Sequence, residues 1–185
     1  MKTRGVTLVE LLVAVGVLGT LAAVAVPYFG DLMSRRRVEM ATAELATTIA
    51  YTRSEAGLRP TDVYVLFNPG KTCYTMAYWG FLGHCDCARG AGFACPPSGG
   101  WTEVRTVQIP ASWNVKLEVF GPWAPTGYSN SLTYTRPLLR AKPDNFKAEL
   151  TGPRGGRTRL VVSALGRLTV CTPDGSINGY KTCED

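Results

Sequence analysis

At 185 residues, the chain has room for one ordinary domain and an appendage. Hydrophobic residues make up 45% of it and aromatic residues 10%, which excludes an intrinsically disordered polymer. The formal net charge of +6 is too mild to mark a nucleic-acid-binding protein by itself.

Residues 1–5, MKTRG, carry Lys2 and Arg4 and form a basic leader. Residues 6–29 then run apolar, with Glu10 as their one charge. As helix, about 24 residues reach ~36 Å, enough to cross a hydrocarbon core of about 30 Å. A secretory signal has a shorter apolar region and a small-residue cleavage site behind it, and no such exit precedes Pro27, so the segment is expected to be retained. Basic residues ahead of the span place the leader in the cytoplasm and the rest on the far side of the membrane. Glu10 breaks the pattern. A carboxylate inside a membrane helix is costly unless partnered and marks a functional position, the plainer alternative being a side chain that snorkels to the nearby interface. Gly16, Gly19 and Pro27 weaken helix, so residues 19–27 are a place for it to stretch or kink.

Residues 30–59 continue as an amphipathic helix. Val38, Ala41, Leu45, Ile49, Thr52 and Ala56 fall three or four apart and lay one stripe along one face. Arg35, Arg36 and Arg37 lie off it, as a solvated face or a contact with the membrane surface. Arg53 and Glu55 either meet another subunit or, more plainly, brace the helix end, and Pro60 stops it.

From Thr61 the period changes to two, and Val63, Val65 and Phe67 begin a β-rich run closed by Asn68-Pro69-Gly70. Further strands are expected over residues 72–81, 104–109, 114–120, 131–136, 146–150, 157–163 and 167–171. Gly152-Pro-Arg-Gly-Gly-Arg157 reads as a hairpin turn; it lacks the Lys-Ser/Thr ending of a phosphate loop. The expected fold is α+β: a long N-terminal helix, half in the membrane, packed by its amphipathic half on an antiparallel sheet in residues 60–185. Within that domain, residues 83–100 form a Gly-, Pro- and Cys-rich insert too irregular for a long strand.

All six cysteines lie beyond the apolar segment, and an even count in a translocated domain points to disulfides. Cys171 and Cys183 enclose a short loop and make the best pair. Cys85 and Cys87 are too close to bond each other without strain, so they take Cys73 and Cys95 in one order or the other. His84, beside Cys85 and Cys87, invites a zinc reading, but the spacing is not that of a zinc ribbon and no metal site is assigned. With a single histidine and no G-x-S-x-G, H-E-x-x-H or Walker loop, no catalytic site is legible, and neither an enzyme nor a cofactor is expected.

Eight basic residues against Asp144 and Glu149 between positions 136 and 167 make a local excess of six. Such a stretch can neutralise phosphates without reading sequence, or serve solubility and subunit docking.

The segment Gly5-Val-Thr-Leu-Val-Glu-Leu-Leu12 resembles the N-terminus of type IV prepilins and of type II secretion pseudopilins. The resemblance implies cleavage between Gly5 and Val6 by a prepilin peptidase and methylation of the new N-terminus. Val6 stands where the family most often has Phe. Glu10 becomes the fifth mature residue, whose carboxylate in that family pairs with the N-terminal amine of a neighbouring subunit. The stretch from Gly19 to Pro27 is then one that can unravel in the fibre. L-A-T-T-I-A-Y-T-R-S-E-A-G-L-R-P-T-D-V-Y-V, from Leu45, and R-L-V-V-S-A-L-G-R-L-T-V-C, ending at Cys171, are similar to the GspH/FimT minor pilins and pseudopilins. The implied function is a minor type IV pilin that primes or caps assembly, with a minor pseudopilin of a type II secretion system as one alternative. Some FimT-like pilins bind DNA through a G-R-x-R element, matched by Gly156-Arg157-Thr158-Arg159 and, without its second Arg, by Gly166-Arg167-Leu168-Thr169. A DNA-binding subunit, using Arg154, Arg157, Arg159 and Arg167, is therefore the other alternative. The implied partners are other pilin subunits and the peptidase, and the implied location is the inner membrane, with a periplasmic domain, and then the fibre at the cell surface.

Overall fold

A single helix, α1 (Leu8–Leu58), carries the rest of the chain in this computed structural model, which describes residues 7–68, 70, 72–78, 80, 85–120 and 130–184. Gly5, Val6 and His84 lie outside the described residues, as do positions 79 and 81 of the second expected strand. Thr7 caps the helix: its Oγ1 accepts the Glu10 N–H at 3.3 Å, meeting one of the four N–H groups a helix start leaves unpaired. The 51 residues run unbroken through Gly16, Gly19 and Pro27 and reach ~76 Å at 1.5 Å per residue. At the other end Arg59 turns extended, its N–H still donating to Glu55 O, and Pro60 follows.

The stripe expected on the second half of α1 is the buried one: Val38, Ala41, Leu45, Ile49, Thr52 and Ala56 are all inaccessible, together with Ser34, Thr42 and Thr48. The threonines do not leave polar atoms stranded. Thr42, Thr48 and Thr52 donate to the carbonyls four residues back, and the Thr42 and Thr158 hydroxyls meet at 2.5 Å across the helix–sheet boundary.

Ten strands follow among the described residues: β1 (Val63–Phe67), β2 (Cys73–Tyr78), β3 (Thr102–Gln108), β4 (Lys116–Phe120), β5 (Ser131–Thr135), β6 (Arg140–Lys142), β7 (Phe146–Thr151), β8 (Arg157–Val162), β9 (Leu168–Thr172) and β10 (Lys181–Thr182). They divide into two five-stranded sheets, ordered β3-β2-β1-β5-β6 and β10-β9-β8-β7-β4. Every pairing is antiparallel except the two-residue β9–β10 pair. One core lies where α1 meets both sheets: Leu45 and Ile49 pack with Val63, Val65 and Leu132 of one and Ala148, Leu150 and Leu160 of the other. Phe67 stacks on Phe146, ring centroids 5.5 Å apart, and stitches the sheets together. Each fully buried leucine or isoleucine contributes about 1.5–3 kcal/mol, so the stripe on α1 is what holds the domain to its stem.

The first sheet buries its second face as well. Tyr64, Leu66 and Ala77 point away from α1 and are covered by Trp101, Cys85 and Cys95 of the cysteine-rich insert. Burial on both faces leaves β1 covered along nearly its whole length, where the period of two expected from the sequence implied one open face.

Candidate functional site

The stem projects from the domain uncovered. Leu8, Val13, Leu18, Leu21 and Val24 are all more than half exposed, and the helix is long and apolar enough to cross a membrane. Apolar side chains face outward on every side of this half of the helix, so it needs a surrounding of lipid or other helices. Glu10 sits on its first turn, where the partial positive charge of the helix end favours a carboxylate. Gly16 and Gly19 face open space, so nothing within the chain itself requires a glycine there.

Where the stem enters the domain, the β7–β8 turn grips it. Arg154 Nη1 donates to Asp31 Oδ1 at 2.7 Å and its guanidinium lies over Gly30, a position where a Cβ would collide with it. Gly152, in the same turn, lies against Val38 and Ser34. Residues 152–156 are thus the expected hairpin turn, closed by the Gly152 N–H to Gly156 O bond at 2.8 Å.

The arginines considered for DNA do not converge. Arg154 is at the stem end of the domain, whereas Arg167 lies in the β8–β9 turn at the opposite end of β8. Between them, Arg157 donates through Nε to Asp174 Oδ2 at 2.9 Å and lies 3.6 Å from Glu149, and Arg159 reaches Glu149 Oε2 at 3.0 Å. Glu149 is itself nearly buried, so this Arg-Glu-Arg-Asp cluster is a braced part of the sheet face. Burial works against ionising Asp174, but hydrogen bonds from Ser176 and Arg157 outweigh it and hold that carboxyl well below the ordinary range. At the helix end, Glu55 pairs with Arg59 at 2.6 Å, and Arg53 donates instead to Leu165 O.

The insert is a rigid feature. Disulfides Cys73–Cys87 and Cys85–Cys95 tie it to β2 and to itself, while Cys171–Cys183 closes the C-terminal loop. The cysteines a zinc site would need are thereby used, and among the described residues no group of three metal-ligating side chains gathers. Glu103 of β3 accepts the N–H groups of Gly92 and Ala94 at 2.7 and 2.9 Å, and Phe93 between them is 76% exposed. Burial raises the Glu103 pKa, but the Thr106 hydroxyl and these N–H groups more than offset it, leaving it below the ordinary range.

Sequence reasoning passed over the far end of the domain, where exposed leucines occupy turns; two leucines in Pro137-Leu-Leu and one in Ala164-Leu-Gly were the available signal.

Three comparisons bear on this arrangement. Residues 1–26 match the family model described as the prokaryotic N-terminal methylation motif. No curated protein matches the chain. Among solved structures, the minor pseudopilin EpsH from the type 2 secretion system of Vibrio cholerae is similar in fold, with a TM-score of 0.51 at 13% identity, over 74% of this chain and 98% of that one. A methylation motif at the head of a long helix stands here before an α+β domain whose fold is that of a minor pseudopilin.

Proposed function

We propose that the chain is a minor type IV pilin, processed between Gly5 and Val6, held in the inner membrane by α1 with its domain in the periplasm, and drawn from there into a fibre whose assembly it primes or caps. The observation that carries this reading is the bare apolar half of α1, headed by the methylation motif and bearing Glu10 as its one charge. A helix apolar all round is at home in lipid, and equally in a bundle of like helices. Glu10 distinguishes the two environments. Its carboxylate is costly in either unless paired, so a neighbour's N-terminal amine would give docking a defined register. The role is structural, and other pilin subunits are the partners. Glu10→Ala is expected to leave membrane insertion and processing intact while removing the chain from sheared fibres; normal incorporation of that variant would overturn the reading.

A second reading, a minor pseudopilin of a type II secretion system, is favoured by the fold shared with EpsH. Deleting the gene separates the two: loss of surface fibres supports the first, loss of an exported enzyme with fibres intact the second.

A further inference from the structure

The end of the domain farthest from the stem gathers three segments. Arg53, near the end of α1, donates to Leu165 O in the β8–β9 turn at 3.3 Å, and Ala141 N–H donates to Ala164 O of the same turn at 3.0 Å. A Cβ on Gly57 would lie 3.7 Å from Leu139 of the β5–β6 turn, and one on Gly166 would lie 3.1 Å from the Leu139 carbonyl. Around this junction Leu58, Leu138 and Leu165 are 82%, 74% and 73% exposed. Tight turns ordinarily carry Gly, Asn, Asp or Ser at such positions.

The rim is basic. Arg53, Arg136, Arg140 and Arg167 are exposed, and none has a carboxylate partner among the described residues. Arg53 and Arg136 are held by donating to the carbonyls of Leu165 and Arg59, which fixes their positions and leaves their charge uncancelled. Glu55 is taken by Arg59, leaving Asp62 and Asp144 as the nearby carboxylates of the surrounding turns.

A second copy fits this surface poorly. Tip-to-tip contact would set the arginines against themselves. Head-to-tail contact would bring them to the stem side of the domain, where Arg35, Arg36, Arg37 and Arg154 outnumber Asp31 and Glu39. The membrane that holds the stem is out of reach, because the helix from Gly30 to Leu58 spans ~42 Å. DNA would engage the arginines and leave the leucines in water. Leucines ringed by cations match a protein surface with an apolar centre and an acidic rim.

We propose that this distal face docks a different pilin-like subunit, whose membrane-proximal surface seats Leu58, Leu138 and Leu165 in an apolar hollow and meets Arg53, Arg136, Arg140 and Arg167 with carboxylates. The inference rests on the reading of the chain as a fibre subunit that primes assembly and does not cap it, and names the kind of neighbour that sits on it.

The test uses the full chain in its native host, with the photo-crosslinking residue p-benzoylphenylalanine replacing Leu138 in one strain and Leu165 in another. Both positions are exposed, and the total level of each variant checks that it folds. The expected product on illumination is an adduct with a different protein that has its own N-terminal methylation segment and joins through an acidic, apolar surface. Arg136→Glu with Arg167→Glu is expected to lower its yield about tenfold or more, and Arg136→Lys with Arg167→Lys to preserve it. An adduct with a second copy, with lipid or with DNA overturns the proposal, as does an adduct indifferent to charge reversal. Absence of any adduct while the chain is present in sheared fibres overturns it and leaves the fibre reading standing. A wild-type chain absent from fibres would overturn the fibre reading itself, and this inference with it.

Discussion

Arg157 Nε and Asp174 Oδ2 are 2.9 Å apart, a contact that ties β8 to the loop after β9. Asp174 also accepts from the Ser176 N–H and the Thr172 hydroxyl, so the carboxylate organises the loop as well as pairing the arginine. Its pKa is depressed in the folded state, so its contribution to stability is fully present above the unfolded pKa of about 3.9 and is lost as pH falls through the lower folded value. Asp174→Asn is expected to cost about 1 kcal/mol at neutral pH, with the gap to wild type closing below about pH 4. Thermal melts from pH 7 down to pH 2 check it; a gap that stays constant would show that the charge is not what matters.

The same pairing bears on DNA. Arg157 and Arg159 share Glu149 and Asp174, so binding phosphate through them would mean giving up ion pairs already made, and few counterions would be released in exchange. Arg157→Ala combined with Arg159→Ala is therefore expected to leave any low-salt DNA affinity of the detergent-solubilised chain unchanged. A mobility shift that disappears in the double variant would restore the DNA reading.

Much of the fold was legible in the sequence because its signals are local. The apolar run, the stripe from Val38 to Ala56 and the stop at Pro60 each declare themselves within a few residues, whereas the Thr7 cap was not foreseen. Eight of the ten strands among the described residues fall on runs expected from the sequence, the first of them from its period of two. Strands β6 and β10, of three and two residues, are too short to show a period. The division into two sheets depends on pairings such as β1 with β5 and β4 with β7, which join segments far apart in the chain and leave no local mark. The candidate site divides the same way. Glu10 stands out in any apolar run, whereas the basic excess after Arg136 is a count along the chain; folding sends Arg154 to one end, Arg167 to the other, and neutralises the pair between.

The insert should unfold separately from the helix-backed core. Cys85–Cys95 closes a short loop over Leu66, Ala77 and Trp101, while the stripe of α1 packs on the opposite face of the sheet. Replacing Cys85 and Cys95 with Ala is expected to cost about 2–4 kcal/mol of the insert's stability. Hydrogen exchange provides the measurement: amides of Gly92 and Ala94, which Glu103 holds, should exchange faster, and those of Leu132 and Leu160 should not. Uniform acceleration across both regions would show that the two clusters fold as one.

Gly152 tests how closely the β7–β8 turn must approach the stem. A Cβ there would sit 2.7 Å from Val38 Cγ2 and 3.2 Å from Ser34 Oγ. Val38 is fully buried and cannot swing aside, so Gly152→Ala must either push the turn off α1 or strain the helix. The expected cost is about 1–3 kcal/mol. Gly155→Ala offers a contrast, because that glycine has open space around it but a φ of 84°, so its cost is backbone strain alone. The two mechanisms separate in combination with Val38→Ala, which removes the colliding methyl: the Gly152 substitution should become markedly less costly in that background, and the Gly155 substitution should cost the same. Chemical denaturation of the four variants and their parents measures the coupling, and equal penalties for Gly152→Ala in both backgrounds would mean that the turn does not rest on the helix as described.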